Sequence, residues 1–342
     1  MILQSTWFFL WGLLWAIFFI TDGFDFGIGT LYPFLGKSEE DRRMMINAKG
    51  PLWDGNEVWL IAAGGVTFAA FPLVYAVMFS SLYSALMLIL FALILRGVSF
   101  EFRGKVDDLR WKRVWDGCIF LGSFLPALLF GVTFANIFKG IPIDGNGIYQ
   151  GNLLTLLNPY GILGGLLFLA MFLEHGALWL SVRTGGELQQ KAAKSALMVW
   201  VAFLVLVVLF LAASLFTTAL FDNYLAHPVL FIVPVLFVVA FFSIKGYLGK
   251  EEFVKAWLCS AAAIICLTFF GIIGLFPNLF PSSIDPANSL SAFNSSASHL
   301  TLTIMLTVVL IFIPIVIAYQ VWTYRLFMGK VTREDLDGEG AY

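Results

Sequence analysis

The segment Gly50-Pro51-Leu52-Trp53-Asp54-Gly55-Asn56-Glu57-Val58-Trp59 places two carboxylates three residues apart, between two tryptophans, at the start of a long apolar run. A second segment, Thr21-Asp22-Gly23-Phe24-Asp25-Phe26-Gly27, carries another pair of acids three residues apart inside an apolar run. A carboxylate inside a membrane is costly, so each such acid is a functional candidate by default. The four acids are either helix caps or parts of a proton or ion path.

The composition predicts a polytopic membrane protein. Of the 342 residues, 60% are hydrophobic and 12% are charged, whereas a soluble domain carries about 25% charged residues. The net charge of −2 argues against a nucleic-acid partner. Because the N-terminus has no basic n-region, we expect the first apolar run to be a retained span. The cysteines form no CxxC pair and are interpreted as small core residues: Cys118, Cys259 and Cys266.

Nine apolar runs are long enough to cross a bilayer, which takes about 20 residues each. They are Trp7–Phe34, Asp54–Leu73, Met78–Phe100, Asp116–Phe138, Pro159–Val182, Ser195–Phe221, Val229–Tyr247, Val254–Phe276 and Leu300–Phe327. The second and third runs are nearly fused, and we divide them between 71 and 81. The sequence therefore predicts an all-α integral membrane protein with nine transmembrane helices.

The nine spans predict one membrane domain, residues 1–331, followed by a polar cytoplasmic tail, 332–342. Counting spans suggests two four-helix bundles, 1–138 and 159–276, with a peripheral ninth helix at 300–327. Of the 20 Lys and Arg residues, 19 lie on alternate connections, with Lys139 the exception. By the positive-inside rule this pattern places the N-terminus outside and the C-terminus in the cytoplasm.

The predicted topology indicates on which side of the membrane the acids lie. Asp54 and Glu57 open the second span, and Glu101 closes the third, both on the cytoplasmic side. Asp22 and Asp25 lie in the cytoplasmic half of the first span, which is about 42 Å long as a helix. The acids therefore converge on the side where a path for protons from the cytoplasm would begin.

Capping is the alternative for some of these acids. Asp54 could be an N-cap with Glu57 at the third helical position, a variant of the capping box. Asp116, which follows a basic loop, is also predicted to be a cap. Capping fits Asp22 and Asp25 less well, because they lie inside a span. Close helix packing around that pair is indicated by the small residues Gly23, Gly27 and Gly29.

The histidines offer little chemistry. Glu174-His175 in the fifth span is interpreted as a structural pair, with a buried ion pair or proton relay as the alternative. His227 and His299 lie near span ends and are expected to be solvated or capping. Three histidines on different spans do not resemble a haem-ligation set. The residues therefore predict no catalytic group, no cofactor ligand and no metal site in this chain.

Several motifs together resemble subunit II of the cytochrome bd quinol oxidases. They begin with the two acidic segments above, extended to Gly29 and Leu60, and continue along almost the whole chain. The further matching segments are Arg42-Arg43-Met44-Met45-Ile46-Asn47, Gly122-Ser123-Phe124, Leu157-Asn158-Pro159-Tyr160-Gly161, Arg183-Thr184-Gly185-Gly186-Glu187-Leu188, Phe276-Pro277 and Leu300-Thr301-Leu302.

The resemblance implies a partner, subunit I, which carries the haems b and d and the quinol-oxidising loop. The complex would oxidise quinol and reduce dioxygen to water, building a membrane potential without pumping. It would lie in the cytoplasmic (inner) membrane of a bacterium or archaeon, in contact with lipid, and a small single-helix accessory subunit is a further candidate partner. In some members subunit II also lines the oxygen route or holds a quinone.

Carried over by position, the resemblance assigns a proton path to Asp54, Glu101 and, less directly, Asp25. Glu57 joins this set because it lies in the same motif, although capping accounts for much of it. The oxygen route falls near Trp59 and Arg96. The connection Asp222–Pro228 is short where some members carry a long insertion, which weakens the expectation of a quinone site in that region.

Two other classes of function stay open on the residues alone. The acids could bind a cation or gate protons in a secondary transporter or channel, although no inverted repeat is evident. The chain could also be a scaffold subunit whose acids only cap helices and bind the partner.

Overall fold

The computed structural model describes residues 1–336, and the last part of the predicted tail, 337–342, lies outside the described residues. Apolar sequence forms helices here because a helix satisfies its own backbone hydrogen bonds. The helices are α1 Ile2–Leu35, α2 Glu39–Lys49, α3 Trp53–Ala70, α4 Pro72–Ser81, α5 Tyr83–Arg103, α6 Leu109–Lys139, α7 Leu153–Leu156, α8 Pro159–Arg183, α9 Gly186–Thr217, α10 Asp222–Ala226, α11 Ile232–Leu248, α12 Phe253–Leu275, α13 His299–Leu326 and α14 Arg333–Leu336. Two short strands, β1 Asn278–Phe280 and β2 Leu290–Ser291, pair antiparallel.

Within residues 1–336, eight helical segments are long and apolar enough to cross a membrane: α1, α5, α6, α8, α9, Pro228–Leu248, α12 and α13. The predicted span at 54–73 falls on α3, which has 18 residues. The chain breaks at Phe71, and α4 begins with Pro72 in its first turn, where the missing amide hydrogen is not needed. The count of nine spans and the topology stay predictions.

Several predicted boundaries were wrong by more than a turn. The third span was expected from Met78, but a break at Leu82 delays α5 until Tyr83. The fourth was expected from Asp116, whereas α6 begins at Leu109, and the sixth was expected from Ser195, whereas α9 begins at Gly186. In the last two cases the helix continues past its apolar run because polar side chains can reach water, so hydropathy underestimates its length.

Helix α1 occupies the centre of the molecule and packs against α3, α6, α8 and α12. Every residue from Thr21 to Tyr32 is buried. At the crossing with α8, a Cβ on Gly27 would overlap the carbonyl oxygen of Phe172, and one on Gly176 would lie 2.6 Å from the backbone nitrogen of Ile28. Glycine at these positions allows two backbones to approach closely, as is common between membrane helices.

Around α1, helices α5 and α6 pack together, as do α8 with α9 and α11 with α12, and α8 also packs on α6. The predicted division into two four-helix bundles is not decided by these contacts and stays a prediction. Helix α13 lies outside this group, and Leu302 is its one buried residue. The indole Nε1 of Trp7 donates to the Leu302 carbonyl at 3.0 Å, fixing one end of α13.

The long connections at the end opposite α2 contact each other. The backbone nitrogen of Ile141 donates to the Pro281 carbonyl at 2.9 Å, and Ser282 Oγ donates to the Ile143 carbonyl at 2.8 Å. The β1–β2 ribbon belongs to the second connection. These contacts close one end of the bundle, so the buried acids described next lie toward the α2 end.

Candidate functional site

Arg96 on α5 is the centre of a buried charge cluster. Its Nη2 donates to both carboxylate oxygens of Asp22 on α1, at 2.8 and 3.0 Å, and also to Glu57 on α3. Asp22 and Arg96 are fully buried, while the side chain of Glu57 is 24% exposed. The guanidinium lies over the ring of Phe26, 4.5 Å from its centroid. One cation therefore joins three helices through two carboxylates.

Asp25 is held by a neutral chain of hydrogen bonds. Asn56 Nδ2 donates to Asp25 Oδ2 at 2.7 Å, and the hydroxyl of Tyr324 on α13 donates to Asn56 Oδ1 at 2.7 Å. The other oxygen of Asp25, Oδ1, is buried without a hydrogen-bond partner among residues 1–336. A buried oxygen without a donor is costly for a carboxylate and less so for a carboxylic acid. The site therefore favours a proton on Asp25.

Lys49 at the end of α2 approaches the same cluster. Its Nζ lies 3.4 Å from the backbone carbonyl of Asp25, to which it donates, and 4.2 Å from the ring centroid of Phe100. Burial lowers the pKa of Lys49 to about 7, although the charge of Asp25 opposes this shift. Burial thus disfavours the charged form of Lys49, and the nearby acids oppose this effect.

This cluster contains one more acidic group than basic groups. The carboxyl groups are Asp22, Asp25 and Glu57, and the bases are Arg96 and Lys49. With every group ionised, three negative charges face two positive ones, and an unpaired charge in a buried site is strongly disfavoured. The uptake of one proton makes the cluster neutral.

A cavity of about 380 Å³ lies between α3 and α13, beside this cluster. Asp54 and Asn56 both line it, together with Trp59, Gln320 and Tyr324. Trp59 Nε1 donates to Gln320 Oε1 at 2.8 Å, which closes part of the space between the two helices. The cavity has room for several water molecules and carries polar groups to hold them.

The structure places Asp54 and Asn56 of the opening segment in different environments. Asp54 is exposed, whereas Asn56 is buried. Residues two positions apart are roughly 200° apart around a helix axis, so the two side chains leave α3 in different directions, although both residues border the cavity. Glu101, in the last turns of α5, is also exposed. In the described part of the chain, no hydrogen bond connects Asp54 or Glu101 to the buried acids.

The capping interpretations were wrong. Leu52 is the N-cap of α3 and makes no side-chain cap, so Asp54 lies within the first turn, where a negative charge still suits the helix dipole. A capping box is present in α2 instead, between Ser38 and Asp41. Sequence spacing could not locate the cap because the chain turns at Gly50-Pro51 immediately before α3.

Asp116 is not a cap either. The N-cap of α6 is Asp108, and Asp116 lies two turns inside. It accepts hydrogen bonds from the Tyr32 hydroxyl at 2.9 Å, from Arg42 Nη1 at 2.8 Å and from Arg103 Nε at 2.6 Å. Asp116 therefore connects α1, α2 and α5 to α6 at the α2 end of the bundle.

The histidines do not fit a haem. Both ring nitrogens of His175 are engaged, one with Ser260 and one with the Ile20 carbonyl. His227 is exposed after α10, and His299 is the exposed first residue of α13. Within residues 1–336, no group of three or more His, Cys, Asp or Glu side chains is arranged to hold a metal ion.

Sequence reasoning missed Lys49, Asn56 and Tyr324 as parts of the site. Asn56 lies between the two acids of the opening segment, and its spacing to the buried Trp59, Ala63 and Thr67 marks one helix face. That spacing could have identified it. Lys49 and Tyr324 reach the cluster from separate helices, and nothing in their local sequence indicates this.

Comparison with known proteins agrees with the fold and with the motifs. A family model described as "Cytochrome bd terminal oxidase subunit II" matches residues 3–327. The chain is similar to "Cytochrome bd-I ubiquinol oxidase subunit 2" of Escherichia coli (strain K12), 35% identical over 370 residues, covering 98% of this chain and 97% of the relative. It is 37% identical over 333 residues to "Cytochrome bd ubiquinol oxidase subunit 2" of Bacillus subtilis (strain 168), covering 97% and 98%.

Among solved structures, the bd oxidase from Geobacillus thermodenitrificans contains a chain of the same fold. The TM-score is 0.79 at 15% sequence identity, covering 96% of this chain and 99% of that one.

Proposed function

Because the chain belongs to the family of cytochrome bd terminal oxidase subunit II, we propose that it carries protons from the cytoplasm toward a haem-bearing subunit I. The family makes it part of an oxidoreductase complex that oxidises quinol. The haems belong to the partner in this proposal, and the present chain supplies support and proton conduction. Dioxygen and quinol are then substrates of the complex.

The observation that carries the proposal is the excess acid in the buried cluster. Asp22 and Glu57 share Arg96, so their charges are partly compensated. Asp25 accepts from the neutral Asn56 and has an oxygen without a donor. It is therefore the acid that gains most from a proton, and a group that can gain and lose a proton can relay one.

The proposed route begins at the α2 end of the bundle. Asp54 and Glu101 are exposed there and would collect protons, and the cavity between α3 and α13 extends from Asp54 to Asn56. Water in this cavity would bridge the exposed acid to the buried one. Lys49, whose pKa is lowered to about 7 by burial, would tune the charge of Asp25.

The contacts of Arg96 favour an electrostatic role over the lining of an oxygen route. A fully buried guanidinium paired with two carboxylates is a poor surface for an apolar gas. Trp59 is the better candidate for oxygen access, because its indole borders the cavity. A bound quinone and a small accessory subunit rest on the family resemblance alone.

The proposal includes nine spans, with α3 as the additional one. Its 18 residues extend about 27 Å, close to the thickness of the hydrocarbon core of a bilayer, about 30 Å. The alternating basic connections then place the N-terminus outside and the α2 end in the cytoplasm. The protein would lie in the cytoplasmic membrane.

The test is oxygen consumption by the purified complex carrying Asp25→Asn or Asp54→Asn, with haem content measured on the same samples. We expect Asp25→Asn to lower turnover at least tenfold, since a positioned proton-transfer group contributes about 10²-fold or more. Asp54→Asn should have a smaller effect because water can reach the cavity by other paths. The control is Asp107→Asn, which removes a 99% exposed charge and should leave turnover unchanged.

Normal turnover with normal haem content in Asp25→Asn would reject the relay. Loss of haem together with activity would instead indicate a scaffold subunit whose acids serve assembly. If the chain purifies alone, with no haem absorbance, the transporter or channel interpretation gains support.

A further inference from the structure

A second group of buried ionisable residues lies apart from the charge cluster. Glu174 and His175 on α8 and Ser260 on α12 are each no more than 1% exposed. Ser260 Oγ lies 2.9 Å from Glu174 Oε2 and 3.0 Å from His175 Nδ1. The serine hydroxyl therefore stands between an acid and a base that are neighbours in sequence and do not bond each other directly.

The hydrogen bond of His175 Nε2 fixes the tautomer of the neutral imidazole. His175 Nε2 lies 3.0 Å from the backbone carbonyl of Ile20 on α1. A carbonyl only accepts, so Nε2 carries a hydrogen and donates it. In neutral His175, Nδ1 is then an acceptor, and the Ser260 hydroxyl must donate to it.

With that donation fixed, Ser260 has no second hydrogen for Glu174. The carboxyl group must donate to Ser260 Oγ and is therefore protonated. In the alternative arrangement, Glu174 is ionised and accepts from Ser260, while His175 is an imidazolium that donates through Nδ1. The two arrangements contain the same number of protons and differ by the shift of one hydrogen along each of two hydrogen bonds.

Burial selects between these arrangements. Glu174 Oε1 has no hydrogen-bond partner among residues 1–336, and neither Glu174 nor His175 joins any of the ion pairs found within this range. An ionised carboxylate with one bare oxygen would be strongly disfavoured there, whereas a neutral carboxyl group tolerates it. The ring of His175 stacks on Trp257 at 5.4 Å and 17°, and Trp179 contacts Trp257 at 4.8 Å.

We propose that Glu174, Ser260 and His175 form a buried proton-binding site in which Glu174 holds a proton that it can pass through Ser260 to His175. In that step the Glu174 O–H bond breaks and a Ser260 O–H bond forms, while the original Ser260 hydrogen moves to His175 Nδ1. No proton enters or leaves the group. Ionisable residues on the elements packed around the site include Asp22 and Asp25 on α1, Arg183 on α8, Lys255 and Cys259 on α12 and Tyr324 on α13.

The site is distinct from the proposed path through Asp25 and does not depend on it. Aromatic side chains separate the two groups: Phe24 stacks on Trp179 at 4.6 Å and meets the ring of Tyr324 at 6.3 Å. Tyr324 belongs to the Asp25 cluster through Asn56. Because the two groups are separate, the proton on Glu174 can be tested by spectroscopy, without measuring the turnover that tests Asp25.

Infrared spectroscopy of the purified complex near pH 7 tests the site. The wild type should show the carbonyl stretch of a protonated carboxylic acid, shifted by deuterium exchange, and Glu174→Gln should lose this one component. Ser260→Ala should keep the component but shift its frequency, because the hydrogen bond to Oγ is lost. Ser260→Thr keeps a hydroxyl group and should restore the wild-type frequency. Ser181→Ala is the matched control: Ser181 is buried on α8, the helix of Glu174 and His175, and its hydroxyl donates to the Ala177 carbonyl.

An unchanged carboxylic-acid band in Glu174→Gln would show that Glu174 is ionised and would overturn the proposal. A band whose frequency is the same in Ser260→Ala as in the wild type would overturn the serine link. If Glu174→Gln prevents assembly, the two serine variants and the Ser181 control decide the outcome, since each conserves the acid. Loss of turnover in Asp25→Asn leaves this band in place, so the two proposals fail separately.

Discussion

Asn56 donates its amide hydrogen to Asp25 across the α1–α3 contact at 2.7 Å, and both residues are buried. The amide is neutral, so it orients the carboxyl group without fixing its charge. A cation in the same place would hold Asp25 ionised. This difference allows Asp25 to change protonation while its neighbour Asp22, bonded to Arg96, keeps a partner.

Replacing Asn56 by Leu should therefore affect both stability and turnover. The Asp25 carboxyl group and the Tyr324 hydroxyl would each lose a partner, at about 1–3 kcal/mol for a buried polar group left unsatisfied. Thermal unfolding of the purified complex measures the loss, and oxygen consumption measures the effect on Asp25. Asn146→Leu, in an exposed loop, is the control, and equal behaviour of the two variants would contradict the role given to Asn56.

Replacing Arg96 by Met should be among the most damaging single changes. It leaves Asp22 fully buried without its cation, and removal of one partner of a buried pair costs about 3–5 kcal/mol. We expect little assembled complex. Adding Asp22→Asn should restore part of the yield, because the uncompensated charge is then gone.

The control for Arg96 is Arg113→Met, which removes an exposed arginine. A double variant no better than Arg96→Met alone would show that Arg96 acts through packing on Phe26 rather than through its charge.

Gly27→Ala should separate α1 from α8. The added methyl group would overlap the Phe172 carbonyl and lie 2.9 Å from the Cα atom of Gly176, and backbone atoms cannot move aside as a flexible side chain can. Overpacking of this kind costs about 1–3 kcal/mol or more. The yield of folded complex and its unfolding temperature measure the effect. Gly64→Ala adds the same methyl group where nothing lies within 4 Å and should be tolerated, so similar losses in both variants would contradict this explanation.

Glu39 lies outside the membrane-spanning segments, and its contact with Arg103 predicts that the stability of the protein depends on pH. Hydrogen bonds from Arg103, at 2.8 and 2.9 Å, hold the pKa of Glu39 below its ordinary value. A carboxyl group whose folded pKa is lowered stabilises the protein above its ordinary pKa, and this contribution disappears as the pH falls through the folded value.

Glu39→Gln should therefore lower the unfolding temperature at pH 7 and make no difference in strong acid. The side chain is 45% exposed, so solvent screening limits the effect to roughly 0.5 kcal/mol, or one to two degrees. The exposed Glu251→Gln serves as control. A difference that persists unchanged below the folded pKa would show that the charge of Glu39 is not its cause.

The sequence was informative where one local pattern decides the outcome. Hydropathy located the eight helices within residues 1–336 that are long and apolar enough to span a membrane, because a helix in lipid needs a continuous apolar run and little else. The glycines around Asp22 and Asp25 indicated close packing, and Gly27 lies at such a contact. The family resemblance is confirmed by the matches described above.

Long-range pairing was not predictable in the same way. Nothing near Lys49 shows that it reaches the backbone of Asp25, or near Ser260 that it lies between Glu174 and His175, because these contacts depend on how separate helices cross. Asp54 was assigned to the path from the family resemblance, by its position in the opening segment. Two positions along a helix are enough to turn a side chain toward the opposite face, and Asp54 is exposed whereas Asn56 is buried.

The attachment of α13 has a consequence for how its sequence can change over time. Polar contacts involve its first turn, through the Leu302 carbonyl, and its last turns, through Gln320 and Tyr324. The residues between them are exposed or half-buried, and most of them are apolar. Homologues should therefore interchange Ile, Leu, Val and Phe freely along the middle of this helix, while Gln320 and Tyr324 vary little.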